Sequence, residues 1–175
     1  MCLLPACHAI LGKMVSECNG TCHVAIFKEG HGVYLDMVET DMTVRVVSRV
    51  GSRLPAYCTA AGKVYLSHMS DDEINEILPT EDFQVYTDTT IKNRTQLKKE
   101  LVEVAEQGYA IDNEELDLGV HCVAAPIRDY TRRIVGSISI SGPNMRLGEE
   151  RIKKELVPLV LEASEELSTR LGYHK

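Results

Sequence analysis

The residues best suited by type and spacing to hold a small molecule are Cys122, Ser137, Ser139 and Ser141. The serines alternate along residues 133–141, and the cysteine sits in residues 120–127. Both runs read as strands, and residues 128–132 between them read as the turn of a hairpin. With that turn centred between Tyr130 and Thr131, Cys122 faces Ser139, Val120 faces Ser141 and Ala124 faces Ser137. One face of the hairpin is then small and polar. The other carries His121, Val123 and Ala125 against Gly136, Ile138 and Ile140. Short hydroxyl and thiol groups leave room for a ligand and donate hydrogen bonds to carboxylate or carbonyl oxygens. Serines on a solvated sheet face are the commoner use of the same pattern, so both readings stand at this level.

Three other clusters invite chemistry. Cys58-Thr59-Ala60-Ala61-Gly62-Lys63 is a small-residue turn entering a helix, where backbone amides favour an anion. It lacks the first glycine and the Lys-Ser/Thr ending of a phosphate loop, and close helix packing explains it equally well. Cys18, Cys22 and His23 invite a zinc reading, but no second ligand pair follows, and an isolated cysteine is usually a small buried hydrophobe. Asp112 ends a short strand ahead of an acidic loop. His121 beside Cys122 does not make a catalytic dyad, because neighbouring strand residues point to opposite faces. A Cys122 nucleophile therefore lacks a base, and we read the chain as no enzyme.

The elements that must position these residues follow from periodicity. Leu3, Leu4, Cys7, Ile10, Leu11, Met14, Val15 and Cys18 form an apolar helical stripe that ends at Asn19-Gly20 and could face the core or a partner. Residues 21–28 and 33–39 flank the turn Glu29-Gly30-His31-Gly32 as a hairpin, and 42–49 alternates as a third strand. Residues 60–68 read as a helix capped by Thr59. Ser70-Asp71-Asp72-Glu73 is a capping box for a short helix that Pro79 ends. Asn93 caps a longer helix that turns Leu97, Leu101, Val104 and Ala105 inward and stops at Gly108. Residues 109–113 are a short strand, and 148–171 a helix that Pro158 should interrupt. Strands and helices are segregated, which predicts an α+β fold with an antiparallel sheet.

The 175 residues suit one domain with a sizeable core: 44% are hydrophobic and 26% charged. The net charge of -7 is opposite to that of a nucleic-acid binder, so contact with DNA would need another domain. Lys92, Arg94, Lys98 and Lys99 alternate with acids and read as a solvated helix face. No segment reads as a membrane span or a signal peptide, and the six cysteines read as reduced thiols of a cytoplasmic protein.

Three motifs then carry a resemblance. Gly51-Ser52-Arg53-Leu54-Pro55 with Cys58-Thr59-Ala60-Ala61-Gly62-Lys63 comes first. Gly108-Tyr109-Ala110-Ile111-Asp112, Glu114-Glu115 and Gly119-Val120-His121-Cys122-Val123-Ala124-Ala125-Pro126-Ile127 follow. Ser139-Ile140-Ser141-Gly142-Pro143 with Arg146-Leu147 closes the set. In order and spacing the chain resembles the effector-binding domain of IclR-type transcription regulators over nearly its whole length. The resemblance implies a GAF- or PAS-like α+β domain, with a curved antiparallel sheet of about six strands flanked by helices. It implies a winged helix-turn-helix domain ahead of this one and absent from this chain, through which DNA would be bound. It implies a small-molecule effector, no cofactor or metal, no membrane partner, and assembly as a homodimer or homotetramer. Carried over by motif, the ligand-binding positions are Ala60, Ala61, Gly62, Asp112, Val120, Cys122, Ser139 and Ser141. This polar set suits a small organic acid, a 2-oxo acid such as glyoxylate or pyruvate. The alternatives are a cysteine-dependent enzyme using Cys122 and a metal-binding module around Cys18, Cys22 and His23.

Overall fold

The computed structural model describes residues 3–175, except the side chains of Leu3 and Leu4, so that part of the apolar stripe lies outside the described residues. Helix α1 (Leu3–Cys18) buries Cys7, Ile10, Leu11, Met14 and Cys18, which places the rest of the stripe against the domain's own core. Asn19 takes a left-handed φ of 56° and ends the helix. Strands β1 (Thr21–Lys28) and β2 (His31–Val38) form the expected hairpin, but its turn is only Glu29-Gly30. Both residues have positive φ, 51° and 77°, as a two-residue hairpin turn requires.

The third strand corrects the alternation reading. Residues 42–49 form no strand. The edge of β2 is filled by the three-residue β3 (Arg53–Pro55), with His31 opposite Pro55. With that edge taken, residues 39–52 arch away as an irregular strap, leaving Val44, Val47 and Val50 exposed.

The helices follow their caps. After a 3-10 turn (Ala56–Cys58), α2 (Ala60–Leu66) starts at Thr59, whose hydroxyl accepts from the Gly62 N–H. Helix α3 (Asp71–Ile77) carries the full Ser70–Glu73 capping box. Helix α4 (Arg94–Gln107) is capped by the Asn93 side chain and ends at Gly108, φ 82°. Leu97, Leu101 and Val104 turn inward, as expected, but Ala105 is exposed, since it lies one position off that stripe. On the outer side of α4, Arg94 pairs with Glu81 and Lys98 with Asp71.

Strands β4 (Ala110–Asn113), β5 (Val120–Arg128) and β6 (Ile134–Pro143) complete one antiparallel sheet in the order β3-β2-β1-β6-β5-β4, curled into a half-barrel. The β5–β6 register differs by two residues from the expected one. Cys122 stands opposite Ser141 and Ala124 opposite Ser139, because the turn is centred later and β6 bulges at Val135, across from Ile127 and Arg128. A shift of two keeps every side chain on its expected face. Helices α5 (Glu149–Arg151) and α6 (Val157–Arg170) are joined by a π-type turn, Ile152–Leu156. That widening precedes Pro158, which has no N–H for the helical ladder.

The sheet separates two helical layers. Helices α1 and α6 cover one face, where Cys22, Val24, Val123, Ile138 and Ile140 meet Leu11, Leu156, Val160 and Leu167. Helix α2, backed by α4, covers part of the other face, where Ala60 and Val64 meet Ala110 and Ala124. The uncovered part of that second face is the floor of a cavity.

Candidate functional site

Cross-strand pairing lines up the polar residues. Asp112 on β4 stands opposite Cys122 on β5, Cys122 opposite Ser141 on β6, and Ser141 opposite Thr21 on β1. In the next row Ala124 is opposite Ser139, and Ser139 opposite His23. These residues share one face because directly opposed residues point the same way. Above them lies a cavity of about 150 Å³, lined by Ala60, Ala61, Asp112, Val120, Cys122, Ser139 and Ser141 among others.

Seven of the eight expected positions thus converge on one cavity, and Gly62 does not. A Cβ at Gly62 would stand 2.3 Å from the Ala56 Cα, so this glycine permits close packing of the 3-10 turn on α2. Its N–H is used by Thr59, as is that of Lys63, so the cavity meets this turn at Ala60 and Ala61.

Further lining residues were not among the expected ligand positions, although Thr59 and Ser52 stood in the quoted motifs. Tyr34 lies on β2, Ser48, Ser52, Val46 and Val47 on the strap, Thr59 at the α2 cap, and Leu116 and Asp117 on the loop after β4. The strap was hidden by its strand-like alternation. It is tied down from beneath: the Thr21 hydroxyl donates to the Val46 carbonyl at 3.0 Å, and His23 Nε2 lies 2.9 Å from Ser48 Oγ. The acidic loop was visible as acidic, but nothing in its composition aimed Asp117 at a cavity. It is held by threonines, with Thr87 Oγ1 donating to the Glu114 carbonyl and Thr90 Oγ1 to that of Glu115, both at 2.6 Å.

The electrostatics centre on Lys63 and Asp112. Lys63 is fully buried; its Nζ donates to Glu115 Oε2 at 2.7 Å, to the Ile111 carbonyl at 2.6 Å, and to Glu100. Burial lowers its pKa, but Glu115 and Glu100 outweigh that and hold it above the usual lysine value. The Glu115 N–H in turn donates to Asp112 Oδ1 at 2.8 Å. Burial, reinforced by the Glu115 charge, pushes the Asp112 carboxyl up to about 7. Among the described residues, no lysine, arginine or histidine lines the cavity.

Geometry also decides the two alternatives. The Cys18 and Cys22 sulfurs lie 3.8 Å apart in the core, whereas His23 is on the opposite face with its ring stacked on Tyr34 at 4.2 Å. The three do not converge, and among the described residues no group of three His, Cys, Asp or Glu could hold a metal ion. Cys122 Sγ lies 3.0 Å from Ser141 Oγ, and burial, with Asp112 nearby, pushes its thiol far up, the reverse of an activated nucleophile. His121 faces away, with Nδ1 2.6 Å from the Leu147 carbonyl oxygen.

Comparison with known proteins agrees with this architecture. The family model for the bacterial transcriptional regulator IclR C-terminal domain matches residues 2–169. The chain belongs to the IclR family. It is 36% identical over 164 residues to the HTH-type transcriptional regulator KdgR of Escherichia coli K12, covering 94% of this chain and 61% of that protein. It is 30% identical over 172 residues to the transcriptional repressor IclR of the same organism, covering 97% of this chain and 62% of that repressor. The chain therefore spans less than two thirds of these curated relatives. The crystal structure of the KdgR C-terminal domain from Escherichia coli superposes with a TM-score of 0.87 at 31% identity, covering 99% of this chain and 100% of that one. Thermotoga maritima IclR gives 0.90 at 35% identity, over 99% of this chain and 70% of that one. The IclR-family relatives are transcriptional regulators rather than enzymes, and this chain matches their C-terminal, effector-binding domain. No described helix of this IclR-family domain is long and apolar enough to cross a membrane.

Proposed function

We propose that this domain senses a small organic acid of the 2-oxo acid class, to which glyoxylate and pyruvate belong. In this reading, occupancy of the cavity alters DNA binding by the longer regulator. The observation that carries the reading is convergence. The Ala60-Ala61 turn, Asp112, and the Cys122, Ser139 and Ser141 row come from distant segments and meet on one small cavity. Ser139 and Ser141 supply hydroxyl donors, the α2 entrance supplies backbone N–H groups, and Val120 supplies an apolar wall. DNA would be contacted by a winged helix-turn-helix domain outside this chain, whose own net charge is -7. The ligand acts by population shift: an acid that prefers one arrangement of domains or of associated copies changes DNA affinity by the difference in its binding to each. We propose association as a dimer or tetramer for the same reason. The described part of the α1 stripe packs on the domain's own core, so in this reading the contact draws on other surfaces.

A thermal-shift screen of small 2-oxo and hydroxy acids, followed by calorimetry, tests the reading. A small acid has few atoms and should bind with a dissociation constant in the micromolar to millimolar range. The double replacement Ser139→Ala and Ser141→Ala should weaken binding about ten- to a hundredfold, and Ala61→Phe should block it. An acid whose affinity is unchanged in both variants binds somewhere else.

A further inference from the structure

Two polar groups in the cavity, the carboxyls of Asp112 and Asp117, are mismatched to the ligand class just proposed. A 2-oxo acid offers only oxygen acceptors, whichever way it lies. Asp112 and Asp117 are carboxylates, and no cationic side chain lines the cavity among the described residues. We propose that a 2-oxo acid is bound together with one proton, taken from solvent and carried by Asp112, which then donates a hydrogen bond to the ligand. This rests on the reading of the cavity as a small-acid site.

The geometry supports it in three ways. Asp112 is 4% exposed and lies in the row with Cys122 and Ser141, so an acid held by that row meets it. One carboxyl oxygen is fixed by the Glu115 N–H. The carboxyl makes no other hydrogen bond to the described residues, and its second oxygen is not among the sealed, partnerless atoms of the interior, so it has a free edge on the cavity. The charges around Asp112 do not favour a second anion either. Glu115 and Asp117 face it from the loop, the Cys122 thiol from β5, the Cys58 thiol from the 3-10 turn and the Tyr34 hydroxyl from β2. Among the described residues Lys63, from α2, is the one cation facing it, and its ammonium is shared between Glu115 and Glu100 of α4, without a hydrogen bond to Asp112. Two carboxylates at hydrogen-bonding distance in a desolvated site cannot both stay ionised, and the pair keeps a proton. The Asp112 pKa near 7 means that this proton costs little to recruit at neutral pH.

Calorimetric titration of the wild-type domain with pyruvate tests this. Run at about pH 8 in phosphate and in Tris, whose ionisation enthalpies differ, it should report uptake of close to one proton per pyruvate bound. Affinity should fall about a hundredfold from about pH 6 to about pH 9, because the protonated fraction of Asp112 falls by that factor. Asp112→Asn keeps an acceptor for the Glu115 N–H and offers its amide N–H to the ligand. It should bind pyruvate with an affinity that hardly varies with pH and with no proton uptake. Wild-type binding without proton uptake and with a flat pH profile would overturn the proposal while leaving the small-acid reading intact. Failure of both pyruvate and glyoxylate to bind at any pH removes both. The wild-type measurement decides the matter even if the variant folds poorly.

Discussion

The β5–β6 hairpin presents two faces that share a backbone and little else. One carries Val123, Ala125, Ile138 and Ile140, sealed beneath α1 and α6. The other carries Cys122, Ser139 and Ser141, which border a cavity. The apolar face holds the sheet to its helices, because removing its surface from water stabilises the fold. The polar face contributes little to that and presents hydrogen-bonding groups instead. Alternation with period two lets one strand do both. The cavity-facing surface can then change its chemistry without disturbing the packing behind it.

That division can be broken most severely from the apolar side. Ile140 is fully buried between the strands and the helical layer. Ile140→Ala should lose about 2–5 kcal/mol of stability, from the lost transfer energy and the cavity left behind. Urea denaturation measures it. Acid binding by the molecules that remain folded should be nearly unchanged; a large loss of affinity at constant fold would show that the two faces are coupled.

How much of this could be read from the sequence follows the same division. Periodicity is a local signal, so the Cys7–Cys18 stripe, the Ser70 and Asn93 caps and the alternation of Ser139 and Ser141 were legible. The face assignment survived a register error of two residues, because only odd shifts exchange faces. What failed depends on distant contacts. Residues 42–49 alternate like a strand, yet β3 occupies the edge they would need, and the strap is placed by Thr21 and His23 on β1. Gly62 belonged to the right motif but serves Ala56, a contact that spacing does not reveal. The buried Lys63 was part of a quoted motif, and no local pattern could couple it to both Glu100 and Glu115. The proposed ligand positions came through the family resemblance, since serines on a strand are equally at home facing solvent.

A middle-sized effect probes Asp112, the buried carboxyl on β4 beside that polar face. The Asp112 carboxyl titrates at about 7 in the folded domain against an ordinary 3.8, chiefly through burial. A carboxyl whose folded pKa is raised stabilises the fold fully below its unfolded pKa and loses that contribution as pH rises through the folded value. The domain should therefore lose stability between about pH 4 and pH 7 on account of Asp112, and no more above that. Asp112→Asn has no proton to lose. It should match the wild type near pH 4 and exceed it by about 4 kcal/mol near pH 8, as a shift of roughly three pKa units implies. Urea midpoints across that range measure the difference. Equal stability at both ends would mean that the ionised carboxylate is solvated through the cavity.

The smallest effect sharpens the comparison furthest. Ser139 makes no side-chain hydrogen bond to the described residues, and its hydroxyl is not sealed away from the cavity. Ser141 has one polar partner, the Cys122 sulfur at 3.0 Å, and a thiol is a weak hydrogen-bonding group. Replacing both serines by alanine therefore leaves no buried donor or acceptor stranded except that thiol, which tolerates an apolar neighbour. The volume change is one oxygen per site, on the side that already borders open space. Stability should change by less than about 1 kcal/mol, well below the loss from Ile140→Ala one position away on the same strand. Urea denaturation of the double variant beside Ile140→Ala makes the comparison within a single element. A loss from the double variant as large as that from Ile140→Ala would mean that the serines hold the sheet together and that the two faces do not divide the work.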